Sequence, residues 1–156
     1  IAYVEIDTLL AQYNFCIDLN EGMVKKSENV RLTLNQKARE LDKQKQDFQT
    51  KYQNNAYLSP ERAQQEYNRI AKLEQDLQTL SNKLQSELMS ENEKNSLQLR
   101  DSINAFLKEY NKTKGYSMII SNTGFDNLLY ADSIYNITKE IVEGLNARYS
   151  SPAPKK

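Results

Sequence analysis

Tyr57-Leu58-Ser59-Pro60-Glu61 decides the fold, because it interrupts a helical pattern that otherwise runs from Cys16 to Lys114. Ser59 can cap a new helix, and Pro60 falls in that helix's first turn, where a missing N–H costs nothing. The residue before a proline also resists helical angles. The stretch therefore predicts two long helices folded back at residues 55 to 59 rather than one continuous helix.

Outward from this point, the second arm carries Ile70, Leu73, Leu77, Leu80 and Leu84 at steps of three, four, three and four, the seam of a coiled coil. An antiparallel hairpin centred near residue 57 or 58 sets Leu34 against Leu80, Ala38 against Leu77, Leu41 against Leu73 and Phe48 against Tyr67. At about 1.5 Å per residue, such arms reach about 60 to 75 Å, so residues 16–114 are expected to form a tentacle. Near its tip Phe48, Tyr52, Tyr57, Leu58 and Tyr67 form either a cluster that closes the hairpin or an adhesive end.

The composition agrees. Of 156 residues, 38% are apolar and 27% charged, too polar for a large compact core and suited to a narrow helical seam on a small body. Lysine plus arginine equal aspartate plus glutamate at 21 each, which argues against a nucleic-acid binder relying on phosphate neutralisation. The first arm carries eight basic and six acidic side chains and the second nine of each, so neither is polybasic. With no histidine, the commonest general base and metal ligand is missing. Four scattered glycines make no phosphate loop, and the acidic residues read as solubility and i,i+4 pairing groups. No catalytic, metal-binding or cofactor-binding residue is expected. The single cysteine, Cys16, cannot form an internal disulfide; it is read as a small apolar residue at a helix start, against the alternative of a reactive thiol. No apolar run approaches the roughly 20 residues of a membrane span, and the abrupt start inside Ile1-Ala2-Tyr3-Val4-Glu5-Ile6 is what a chain with its leader removed looks like.

Ile1 to Ile6 reads as a short strand, and Asp7 as the cap of a short helix from Thr8 to about Tyr13. The first arm continues through Met23, Val30 and Leu34. Gly22, Ser27 and the polar run from Ser90 to Ser96 predict a looser, solvated root. Leu99, Ile103, Phe106 and Tyr110 carry the second helix into the body, and Gly115 ends it. Tyr116 to Ser121 reads as a second strand, Asn122-Thr123-Gly124 as a turn, Asn127 to Ala131 as a third strand and Asp132 to Asn136 as a loop. Thr138 is expected to cap a last helix bearing Ile141, Val142 and Leu145, and residues 150–156 to form a disordered tail. The reading is thus α+β, with a β-rich body from residues 1–15 and 115–149. Three such strands bury little, and oligomerisation is the natural remedy. The candidate oligomerisation residues are Ile1, Tyr3, Val4, Ile6, Met118, Ile119, Ile120, Leu128 and Leu129.

This order of elements resembles the Skp/OmpH family of periplasmic chaperones for outer-membrane proteins, over about residues 1 to 147. The opening Ile1-Ala2-Tyr3-Val4-Glu5-Ile6-Asp7 carries the resemblance, as do Gly115-Tyr116-Ser117-Met118-Ile119-Ile120 and Leu129-Tyr130-Ala131-Asp132 followed by Ile137-Thr138-Lys139-Glu140-Ile141. The resemblance implies a homotrimer in the periplasm, with a β-sheet body on the threefold axis. Three tentacles would enclose a cavity that holds unfolded outer-membrane β-barrel proteins without ATP or cofactor. It also implies transient contact with membrane surfaces. The family's best-known type has strongly basic tentacles; here the arms are nearly neutral, which shifts client contact toward apolar and aromatic patches. Candidate client-binding residues are Val24, Leu32, Leu88, Met89 and Leu97, apolar but off the seam, with Tyr52 and Tyr57 at the tip; peripheral packing within the hairpin is the alternative for each. A structural spacer or adaptor, binding a folded partner through the hairpin tip, is the competing class of function.

Overall fold

A computed structural model describes residues 1–124 and 128–150. The chain is mostly helical, with two long helices and a small two-stranded sheet: β1 (Ala2–Glu5), α1 (Ile6–Gln12), α2 (Asn14–Gln53), α3 (Pro60–Lys114), β2 (Ile119–Asn122), a 3₁₀ turn (Ser133–Tyr135) and α4 (Thr138–Ser150). It divides into two compact units, Met23–Glu91 and the remainder.

In the first unit, β1 and β2 pair in parallel, with Ala2 opposite Ile119 and Val4 opposite Ser121. The other edge of β1 is taken by the segment before α4, where the Ile137 N–H donates to the Tyr3 carbonyl at 3.0 Å. The expected third strand is not formed: Leu128 to Ala131 carry no strand, and Asn127 lies outside the described residues. Of the tail expected over residues 150–156, residues 151–156 lie outside them too, and Ser150 instead ends α4.

The core of this unit gathers Ala2, Val4, Leu9, Tyr13, Cys16, Ile103, Ile137, Ile141, Val142 and Leu145. At about 1.5–3 kcal/mol for each large apolar side chain fully buried, it is a small core. It includes Cys16 and Ile103, from the roots of the two long helices: Ile103 belongs to the run expected to carry the second helix into the body, and Cys16 was expected at the start of the tentacle. Ile141, Val142 and Leu145 do form the buried face of α4.

Two expected caps are otherwise. Glu5, not Asp7, holds the N-cap position of α1, with no side-chain cap, and Asp7 sits in the first turn. The Thr138 hydroxyl is used elsewhere: it accepts from the Glu5 N–H at 2.8 Å and donates to Asn136 Oδ1 at 2.6 Å, while Asn136 accepts from the Thr138 N–H. Between α1 and α2, the Asn146 side chain accepts from the Asn14 N–H and donates to the Gln12 carbonyl, satisfying both helix ends at the break. At the far end of α3, Gly115 takes a left-handed φ of 70° and its N–H donates to the Asn111 carbonyl, the helix stop its position predicted.

In the second unit, side chains of α2 meet side chains of α3. Lys26 pairs with Glu91 at 2.6 Å, Lys45 with Glu74 at 2.8 Å, and the Phe48 and Tyr67 rings lie 6.2 Å apart. Leu41 and Ile70 are buried, and Leu34, Ala38, Phe48, Leu73, Leu77, Leu80 and Leu84 are half-buried, the burial a two-helix seam allows.

Candidate functional site

The turn between α2 and α3 is built by local chemistry. Asn55 adopts a φ of 52°, a conformation asparagine tolerates better than most residues. The Asn55 N–H donates to the Tyr52 carbonyl and the Ala56 N–H to Lys51, the paired bonds that close a helix around a left-handed residue. Ser59 Oγ then accepts from the Arg62 N–H at 3.2 Å, starting α3 as its sequence predicted. Phe48 is the hub, with ring centroids of Tyr52, Tyr57 and Tyr67 at 5.9, 5.6 and 6.2 Å. Leu58, Tyr52 and Tyr67 nevertheless stay largely open to solvent.

Along the helices, the off-seam apolar residues divide. Val24, Leu32, Met89 and Leu97 are more than half exposed, as is Tyr52, whereas Leu88 and Tyr57 are half-buried. The reason is angular: at about 100° per residue, Val24 follows the half-buried Met23 off the stripe, and Leu32 lies two positions past the half-buried Val30. The charges around them are neutralised locally. Arg31 donates to Glu28, holding that carboxyl below its ordinary range and its own guanidinium above, and Arg69 does the same for Glu66.

On the sheet-bearing unit, the nine expected oligomerisation residues fall into three sets. Ile1, Met118 and Leu129 are exposed; Ile6, Ile119, Ile120 and Leu128 are half-buried; Tyr3 and Val4 are buried in the chain's own body. A groove of about 350 Å³ is lined by Ile1, Tyr3, Ile120, Leu128 and Tyr135, among others. Tyr130, expected in the third strand, and Ile134 and Tyr135, expected in the loop after it, add exposed apolar surface that the sequence reading did not single out. The outer edge of β2 pairs with no strand among the described residues.

Among the described residues no cluster of three or more metal-ligating side chains occurs, and no helix is long and apolar enough to cross a membrane. Cys16 is buried; desolvation pushes its thiol pKa up, partly offset by the Asn20 amide 3.7 Å away, which disfavours the reactive thiolate.

A family model described as outer membrane protein (OmpH-like) matches residues 1–145. The fold is similar to the crystal structure of a candidate outer membrane chaperone (OmpH-like) from Caulobacter crescentus CB15, with a TM-score of 0.84 at 12% identity, covering 99% of this chain and 88% of that one. No curated protein matches in sequence.

Proposed function

This chain belongs to the OmpH-like outer membrane protein family, and from that premise we propose that it is an ATP-independent holdase of the periplasm. It binds unfolded outer-membrane β-barrel proteins and keeps them from aggregating. The observation that carries the reading is the set of exposed apolar side chains on the long, charge-balanced helices and the turn between them: Val24, Leu32, Tyr52, Leu58, Tyr67, Met89 and Leu97. Unfolded β-barrel strands alternate apolar and polar residues. Many small contacts hold such a chain through avidity and still release it, and binding the unfolded state alone delays aggregation by mass action.

In this reading α2 and α3 form an antiparallel coiled-coil hairpin, and three copies assemble through their bodies so that the hairpins enclose the client. The unpaired edge of β2 and the exposed Ile1, Met118 and Leu129 support an assembly surface there, because a two-stranded sheet is marginal alone and an open edge invites pairing. The test joins two measurements: sedimentation equilibrium of the purified chain, and light scattering as a urea-unfolded β-barrel protein is diluted into it. A mass of three subunits with aggregation suppressed near one assembly per client is expected. A stable monomer, or scattering unchanged at excess protein, refutes the reading.

A further inference from the structure

We propose that residues 128–131 of one copy add as a strand to the outer edge of β2 in a second copy. This rests on the assembly reading above and names the two elements that meet. The Ala2 N–H donates to the Met118 carbonyl at 3.0 Å, in a parallel pair that sets Ala2 opposite Ile119. Peptide groups alternate in direction along a strand, so those of Ile119 and Ser121 turn outward, where no strand meets them among the described residues. Residues 128–131 are the complement on the same chain. Leu-Leu-Tyr-Ala has strand composition and the same four-residue length as β2, yet forms no strand in the single chain. Leu129 and Tyr130 are 83% and 86% exposed. In its own copy the segment lies over a face of the sheet, not at its edge: Leu128 and Ala131 line a groove with Tyr3 and Ile120, which stand opposite each other in the ladder.

The surroundings of the β2 edge fit this occupant. On the Ile119 side lies a second groove of about 780 Å³, between the end of α3 and the segment that leads into β2. Leu107, Tyr116 and Met118 give it apolar lining. Asn111 fixes the Tyr116 wall, its amide donating to the Tyr116 carbonyl and its oxygen accepting from the Tyr116 N–H. Side chains alternate across a strand. Whichever direction the added strand runs, one of Leu129 and Tyr130 enters this groove and the other covers the Ile120 face. The charges match as well. Lys108 lines the groove and makes no ion pair among the described residues. Asp132, the one charged residue from 128 to 136, is exposed at the end of the incoming segment, with Oδ1 accepting from the Ile134 N–H. Edge and segment are different patches of one surface, so the contact is heterologous and repeats from copy to copy around a ring, which a twofold dimer does not need.

The test cross-links full-length chains carrying Cys16→Ala. Met118→Cys and Leu129→Cys are each treated with a short bismaleimide, alone and after refolding together as an equal mixture, and sized by denaturing electrophoresis. The mixture is expected to give at least tenfold more two-chain product than either variant alone, and the variant with both cysteines a three-chain product. Lys108→Glu and Asp132→Lys should each weaken association about two- to fivefold, and together restore it. As much product from one variant alone means that like patches meet, and overturns the contact. Both thiols joined within one chain returns the segment to its own β2, and overturns it too. If the wild type sediments as an assembly but the mixture yields no excess product, this contact falls and the assembled holdase stands. A wild type that sediments as a monomer removes both.

Discussion

The Phe106 ring occupies the space a side chain at Gly144 would need: a Cβ placed there would stand 2.2 Å from Phe106 Cζ and 2.8 Å from Cε2. Glycine inside a helix costs about 1 kcal/mol relative to alanine. Its presence in α4 is therefore explained by packing against α3, not by local preference.

Gly144→Ala should lower urea stability by about 1–3 kcal/mol, the usual cost of overpacking, despite the better helix propensity of alanine. Adding Phe106→Leu should recover much of that loss. Equal or higher stability of the single variant would show that the ring moves aside freely.

The turn between the long helices separates two local effects. Asn55→Ala removes the short polar side chain that makes left-handed backbone tolerable for asparagine and should cost about 1 kcal/mol, whereas Asn55→Gly should be neutral or better. Phe48→Ala removes the hub of three ring contacts and should cost about 2–3 kcal/mol, less than a fully buried phenylalanine. Hydrogen exchange of the amides from residue 50 to 62 reads both, and an unchanged pattern in Phe48→Ala would mean that the rings close nothing.

What the sequence showed clearly was what local chemistry decides. Pro60 with Ser59 and the glycine stop at Gly115 each rest on nearest-neighbour physics, and each is present. The errors came from partners distant in the chain. Leu128 to Ala131 has strand composition but forms no strand, and the edge of β1 away from β2 is held by Asn136 and Ile137 instead. Thr138 has the composition of a cap, yet its hydroxyl serves Glu5, 133 residues away. For the candidate surfaces, helical periodicity placed Val24, Leu32 and Met89 off the stripe. It gave no hint that Gln44 Oε1 would be buried without a partner, because an unmade hydrogen bond leaves no mark on spacing.

Two tyrosines make the fold alkali-sensitive. Burial, then donation of its hydroxyl to Glu140, raises the Tyr110 pKa; donation to Asp18, then burial, raises that of Tyr149. Both hold their protons more tightly folded than unfolded, so their contribution is intact below about pH 10, the ordinary tyrosine value. It is lost as pH rises above that value toward the folded ones. The urea midpoint should therefore fall above about pH 10, and a variant with both Tyr110→Phe and Tyr149→Phe should show a shallower fall. An identical slope would assign the loss to other groups.

The proposed assembly surface can be probed apart from folding, because its residues differ in what they do for the single chain. Leu129 is 83% exposed, so Leu129→Asp removes almost no packing within the chain and should leave the helix content of the protein unchanged. Ile119 packs against the body core and pairs with Ala2, so Ile119→Asp buries a charge as well as altering the β2 edge and should both unfold the body and dissociate it. Sedimentation equilibrium and circular dichroism of the two variants separate the cases. Folded protein of lower mass in Leu129→Asp means that the exposed loop lies in the contact between copies. An unchanged mass there, with loss of mass and structure only in Ile119→Asp, moves the contact to the strand edge and away from the loop. Full mass in both would remove the body as the place where copies meet.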